Sequence, residues 1–249
     1  MASVDAMPDA WRDRLDDMED WYRVLLEQGH AAAEQSLISD YSSYAGWLRG
    51  VRGHLLDVGG GAGLAARYLD PGCDYTVLDP AGVWEEPRWQ EFAASFRNEH
   101  PVHFVRGTGE AIPFGEASFD AVTAFWSLNH ARDPGQCMAE IARVLRPGGN
   151  GLLVLEDMEP TWVDIATRAV RSAISRVTGK GRKPFWHQPE VGGLTATIRH
   201  KVQGKNWPLQ PDHVRIRERD LRSWLAPNLI VTCREWQGGF LAYEFVRRD

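Results

Sequence analysis

The 249-residue sequence predicts an α/β fold in which one doubly wound, mostly parallel seven-stranded sheet ends in an antiparallel hairpin. Three observations predict it. Five short apolar runs alternate with stretches of helical periodicity, the pattern of βαβ crossovers and parallel strands. The first run, His54–Val58, stops at Gly59-Gly60-Gly61, the punctuation of a tight strand-to-helix turn. The chain closes with two β-rich runs, Leu229–Arg234 and Phe240–Val246, joined across Gly238-Gly239, which reads as a hairpin.

The elements follow in order. Residues 9–28 place Trp11, Leu15, Met18, Trp21, Tyr22, Leu25 and Leu26 at helical spacing. A second helical stretch, from about Ser36 to Gly50, carries Leu37, Tyr41, Tyr44 and Leu48. After the first strand, Ala62–Leu69 reads as a helix, Tyr75–Leu78 as strand two, Val102–Val105 as strand three and Ala121–Phe125 as strand four. Pro134–Leu145 reads as a helix with Met138, Ile141, Ala142 and Leu145 on one face, stopped by Pro147-Gly148-Gly149. Gly151–Leu155 is strand five. Between it and the hairpin lie a helix near Trp162–Val177, a Gly/Pro loop through Gly179, Gly181, Pro184 and Pro189, and a helix near Glu218–Leu225. That is too long for a plain crossover and predicts a cap inserted at about 158–215.

Composition narrows the class. With 43% hydrophobic and 25% charged residues, the chain is an ordinary globular one rather than disordered. No apolar run approaches the roughly 20 residues needed to span a bilayer. Net charge is −6, which disfavours general binding to nucleic acid. Cys73, Cys137 and Cys233 form no CxxC pair, so neither a zinc site nor a disulfide framework is expected. The acidic N-terminus lacks a cleavable apolar stretch. A cytoplasmic protein, monomer or homodimer, is the expectation.

The stretch Leu55–Gly63 carries the most chemistry. Gly59 and Gly61 let the backbone turn and let a ligand approach without Cβ clashes, while Gly63 allows close helix–strand packing. A helix start there offers N–H groups to a carboxylate, and Asp57 is placed to hold an ammonium group, directly or through water. Sites for an anion and a cation side by side suit an amino-acid zwitterion, which methionine carries and a dinucleotide does not. Twenty positions beyond Gly59, Asp79 ends strand two, where an acid can accept both ribose hydroxyls of a nucleoside, with Leu78 and Pro80 flanking a base. The bland alternatives are a dinucleotide fingerprint in Gly61-x-Gly63-x-x-Ala66, Asp57 as a helix cap and Asp79 as a turn former.

Four stretches add a resemblance. Leu55–Gly63, Tyr75–Pro80, Gly107–Phe114 with Ser118-Phe119-Asp120, and Arg143–Gly149 resemble, in order, the motifs of the class I S-adenosylmethionine (SAM) dependent methyltransferases. The branch it is most similar to includes ubiquinone and menaquinone C-methyltransferases. The match runs from Leu55 to Leu155. It implies a Rossmann-like fold, SAM as cofactor, an N-terminal helical lid over 1–50 and a methyltransferase domain over 51–249. Asp57 before the turn and the antiparallel finish favour SAM over NAD. The implied cofactor contacts are Asp57, Gly59, Gly61, Gly63, Asp79, Pro80 and Trp126. The acid of the third motif falls on Thr108 here, so Thr108, Gly109 and Glu110 share that expectation.

The acceptor end is expected where strands four and five finish, in Trp126-Ser127-Leu128-Asn129-His130 and Glu156-Asp157. His130 is the candidate proton acceptor, since imidazole titrates near neutrality, with Glu156 beside it. The alternative is a histidine that borders the cofactor or caps a helix. Asn129, Asp157 and His213 are candidate substrate contacts. So are Tyr22, Tyr41 and Tyr44, whose rings could shield the sulfonium or form plain core. Glu156 and Asp157 could orient a substrate hydroxyl or amine, or bind a metal with His130; the metal is the weaker reading, and none is expected, because neighbours on a strand point to opposite faces. The cap stretch Thr161–Asn206 holds nine Lys and Arg against Asp164 and Glu190, and supplies Trp186 and His187. It predicts either attraction of an acidic or phosphorylated acceptor, or a solvated face. The expected function is methylation of a small molecule on O, N or C, plausibly in natural-product biosynthesis. The alternatives are a methyltransferase for RNA or protein, and a non-catalytic SAM-binding subunit.

Overall fold

The computed structural model describes residues 9–29, 31, 33, 41–97, 100–178, 193–210, 212–237 and 239–249. Seven strands form one sheet: β1 His54–Val58, β2 Asp74–Asp79, β3 Val102–Arg106, β4 Phe119–Phe125, β5 Leu145–Leu155, β6 Leu229–Gln237 and β7 Phe240–Arg247. Their order is β3-β2-β1-β4-β5-β7-β6. β1 to β5 pair in parallel, and β7 runs antiparallel to both β5 and β6. The expected architecture is therefore present.

Strand alternation builds a core on each face. Leu55, Leu152 and Val154 join Tyr75, Val77 and Phe92 on one side. Their neighbours Leu56, Leu153 and Leu155 join Met138, Ile141 and Leu221 on the other. Both faces exclude water, which explains near-continuous apolar runs in place of strict alternation. Each fully buried side chain of this size contributes roughly 1.5–3 kcal/mol.

The helices are α1 Asp9–Glu27, α2 Ala45–Gly50, α3 Pro87–Phe96, α4 Pro134–Val144, α5 Trp162–Thr178, α6 Leu194–Val202 and α7 Glu218–Leu225. α4 starts where the sequence predicts: Asp133 accepts the Gln136 N–H at 3.0 Å, and Pro134 occupies the first turn. No described helix is long and apolar enough to cross a membrane.

Several expectations need correction. The helix expected at Ala62–Leu69 is a 3-10 turn over Leu64–Tyr68, entered through Gly63 at φ +71°. A turn this short has little dipole to offer an anion. The second N-terminal helix covers only Ala45–Gly50 among the described residues, after a 3-10 turn at Tyr41–Tyr44. Residues 36–40 lie outside the described residues. α3 was not expected, although Pro87 at its start and Trp89, Phe92 and Ala93 at helical spacing mark it. The cap also contains α6. Pro147-Gly148-Gly149 lies within β5, which begins directly after α4 and carries Gly148 at φ +74°.

Two polar ties place elements around the strand ends. Glu19 of α1 accepts the Gly82 N–H at 2.6 Å, and Arg23 donates to Glu86 at 2.9 Å, so α1 lies against the loop after β2. Arg234 of β6 makes two bonds to Asp164 of α5, at 2.7 and 2.9 Å, and two to Glu218 of α7, at 3.0 and 2.8 Å. Those bonds join cap, last helix and hairpin.

Candidate active site

At the carboxyl ends of the parallel strands, where the strand order reverses between β1 and β4, a cavity of about 630 Å³ opens. Ligand pockets run from about 300 to 1,000 Å³, and the topological position is the usual one for such sheets.

One end is built by the glycine turn. Gly59 and Gly61 take φ +70° and +53°, and a Cβ on Gly59 would lie 2.3 Å from the Ser127 Cβ. Gly59, Gly60 and Gly61 line the cavity with Asp79, Pro80, Thr108, Gly109 and Glu110. Asp79 Oδ2 accepts the Gly61 N–H at 3.0 Å, and Oδ1 accepts the Ala81 N–H at 2.9 Å. One lone pair on each oxygen is left for a ligand. Burial pushes Asp79 up to about 6, against the Ala81 and Gly61 N–H groups and the Trp84 side chain, which favour the carboxylate. Tyr22 of α1 packs edge-on against Trp84 at 4.3 Å, and burial raises its phenol.

Asp57 and Gly63 sit elsewhere. Asp57 is wholly buried, accepts the Tyr75 hydroxyl at 2.7 Å and the Thr123 hydroxyl at 2.8 Å, and does not line the cavity. It staples β1 to β2 and β4 beneath the turn, where a Cβ on Gly60 would meet its Oδ2 at 2.6 Å. Gly63 faces Val102 and Val77 and also lies off the cavity.

The other end gathers residues far apart in sequence. His130, Glu156, Asp212 and His213 line the cavity. His130 Nδ1 lies 3.1 Å from Asp212 Oδ2, and its Nε2 lies 3.9 Å from Glu156 Oε2. His213 Nδ1 donates to Asp157 Oδ2 at 2.8 Å, and its Nε2 lies 3.4 Å from Glu156 Oε2. The His130 hydrogen bond holds Asp212 at about 2. Burial pushes His213 down, but Asp157, Glu156 and Asp212 outweigh it and raise the imidazole.

The strand rule that separates Glu156 from Asp157 does not hold here. β5 ends at Leu155, and Asp157 takes the left-handed φ +52°, so both carboxylates reach His213. Asp157 itself, fully enclosed, also accepts the Gln210 N–H and does not line the cavity. Asn129 is a clamp: its amide donates to the Glu156 carbonyl at 3.1 Å and accepts the Glu156 N–H at 3.2 Å.

Between the two ends, Trp126 stands at φ +54° after β4, with Tyr41 edge-on at 4.9 Å. Its buried indole N–H finds no acceptor among the described residues. Tyr44 does not line the cavity; it is core and donates to the Gln237 carbonyl at 3.2 Å. Trp186 and His187 lie outside the described residues. Sequence reasoning missed Trp84, which has no local signature, and Asp212, which adjoins the candidate His213. The described cavity wall carries five carboxylates (Asp17, Asp79, Glu110, Glu156 and Asp212) and no Lys or Arg, while Lys180, Arg182 and Lys183 of the cap lie outside the described residues.

Residues 56–153 match the family described as a methyltransferase domain. The demethylmenaquinone methyltransferase of Renibacterium salmoninarum is 32% identical over 65% of this chain and 64% of its own length. A ubiquinone/menaquinone biosynthesis C-methyltransferase of Hahella chejuensis is 34% identical over 52% of this chain and 57% of its own. The chain thus spans less than two thirds of the curated relatives it matches first. The Burkholderia thailandensis 1,6-didemethyltoxoflavin-N1-methyltransferase, solved with S-adenosylhomocysteine bound, shares the fold at TM-score 0.56 and 16% identity, over 98% of this chain and 92% of that one. Residues 56–153 are thus similar to a methyltransferase domain, and SAM is the cofactor which that similarity implies.

The residues present fit that group. A Cβ-free turn, a strand-end carboxylate with spare lone pairs and the unsatisfied Trp126 N–H border one cavity. Ribose hydroxyls held there would donate, and so would need Asp79 ionised. Acidification through about 6 protonates it, with Asp57 and Tyr22 as its titratable neighbours. Affinity for S-adenosylhomocysteine falls below that pH, approaching about tenfold per unit. Calorimetric titration between pH 5 and 8 checks this, and a flat profile contradicts it.

Proposed function

We propose that this protein transfers the methyl group of SAM to a small-molecule acceptor bound at the His130–Glu156 end of the cavity. The observation that carries the reading is the continuity of that cavity. Glycine turn and Asp79 stand at one end, His130, Glu156, Asp212 and His213 at the other. Bound SAM supplies an electrophilic methyl on a sulfonium. The chain's task is to align a nucleophile with it, exclude water and remove any proton the nucleophile carries. His130, oriented by Asp212, and Glu156 are the groups placed for that task. Tyr22 and Trp84 close the cavity from the α1 side, which supports a lid formed by residues 1–50.

The relatives named as quinone methyltransferases support a small acceptor. Five wall carboxylates oppose a polyanion such as RNA. Oxygen, nitrogen and carbon nucleophiles all fit this reading, as does a role in natural-product biosynthesis. Methyl-labelled SAM, incubated with the protein and either a metabolite extract, bulk RNA or a protein extract, tests it. Label is expected in the low-molecular-weight fraction; label confined to RNA or protein would overturn the reading. With an acceptor in hand, His130→Ala lowers turnover by about 10²–10⁴-fold if His130 takes the proton, while S-adenosylhomocysteine affinity stays unchanged. Undiminished turnover removes that role.

A further inference from the structure

We propose that His130, Glu156 and His213 form a binding site for one divalent transition-metal ion, with its open position facing the cavity. The three side chains offer one ligand atom each, and these atoms lie within 4.8 Å of one another.

Convergence of the imidazoles is the first ground. Each presents Nε2 to the same carboxylate oxygen, Glu156 Oε2, at 3.9 Å from His130 and 3.4 Å from His213. Ligands at about 2.1 Å from a tetrahedral ion stand about 3.4 Å apart. The His213–Glu156 pair already has that spacing, and His130 needs to close by about half an ångström. His130 is free enough to do so, with 31% of its side chain exposed against 1% for His213.

The outer partners are the second ground. A metal-binding histidine usually gives its other ring nitrogen to a carboxylate, which fixes the tautomer and ring direction. Both do so here: His213 Nδ1 to Asp157 at 2.8 Å, and His130 Nδ1 to Asp212 at 3.1 Å. With Nδ1 donating, each Nε2 carries the lone pair that a metal would take.

Charge is the third. Glu156, Asp157 and Asp212 bring three carboxylates to two imidazoles in a largely enclosed place. A dication offsets that excess where solvent cannot. Two imidazoles and one carboxylate with an open position suit Zn²⁺ or Fe²⁺ rather than Mg²⁺ or Ca²⁺.

The role of the ion, though not its existence, rests on the methyl-transfer reading. At the open position it would hold an acceptor oxygen and lower that group's pKa. His130 and Glu156 would then act as ligands, and the cation missing from the described cavity wall would be supplied. The acceptor class becomes a small molecule that binds the ion through one hydroxyl or carboxylate oxygen.

Metal-stripped protein titrated with Zn²⁺ by calorimetry, and with Co²⁺ by visible absorption, provides the test. One ion per chain is expected, with a Co²⁺ ligand-field band. His130→Ala and Glu156→Gln should each weaken binding by about a hundredfold or more, and Asp157→Asn by about 10–100-fold. Cys233→Ser, in the other ligand-capable group among the described residues, should leave it unchanged. A parallel S-adenosylhomocysteine titration of each variant reports that the fold is intact and tests the cofactor reading separately. No uptake at millimolar metal, uptake undiminished in His130→Ala and Glu156→Gln, or uptake lost in Cys233→Ser would each overturn the metal site. Failure of S-adenosylhomocysteine to bind the wild type would instead overturn the methyl-transfer reading.

Discussion

Asp79→Ala is expected to weaken S-adenosylhomocysteine binding by about two orders of magnitude at neutral pH. A hydrogen bond to a charged group is worth roughly 1.5–3 kcal/mol, and two hydroxyls would lose theirs together. The same carboxylate accepts the Gly61 and Ala81 N–H groups, so its removal also loosens the loop that carries the ligand. Melting temperature should fall by only a few degrees, because the apolar anchors of the loop, Ala81, Val83 and Trp84, stay in the core. Asp79→Asn should retain the loop better than the alanine variant yet bind with a profile flattened around pH 6. Calorimetry checks both, and affinity within threefold of wild type in Asp79→Ala would remove this residue from the cofactor site.

Arg234→Ala is the substitution expected to damage stability most. It strips the shared cation from Asp164 and Glu218, whose side chains are only 7% and 15% exposed. Removing one partner of a buried ion pair costs about 3–5 kcal/mol, because the remaining charge stays desolvated. Burial works against ionisation of both acids, but the bonds from Arg234, with those from Thr161 to Asp164 and from Arg222 to Glu218, outweigh it and hold both below the usual carboxylate range. An acid held low stabilises the native state above its unfolded pKa, near 4, and that contribution fades as pH falls further. The gap in melting temperature between wild type and variant should therefore be wide at pH 7 and narrow below about pH 4. A constant gap across that range would mean that the network contributes through packing alone.

Much of this was legible from the sequence, for local reasons. Apolar runs and glycine punctuation mark β1 to β4 within two residues and the end of β5, and Gly59 and Asp79 can be placed because the turn and the end of the next strand are local features. His130 and Glu156 were found because they follow β4 and β5. What escaped depends on contacts across the fold. Arg234 meets Asp164 from 70 positions away, and nothing around either residue announces the partner. Asp57 reads as a ligand from its position but faces inward, since Tyr75 and Thr123 on both flanking strands supply the donors that make its burial tolerable. Glu156 and Asp157 obey the strand rule only as far as Leu155; one left-handed residue beyond the strand end cancels it.

Two non-glycine residues leave the adjacent strands β4 and β5 in the left-handed region: Trp126, which lines the cavity, and Asp157, which holds the cavity residue His213 from outside it. Such conformations cost of order 1–3 kcal/mol each, and persist where the surroundings hold them. Glycine or asparagine would relax either backbone, at the loss of the indole or the His213 partner. A laboratory population selected for heat resistance alone should drift at these two positions early and shed its chemistry as it does so. Thermostable descendants would then be recognisable by a relaxed strand exit and an idle pocket.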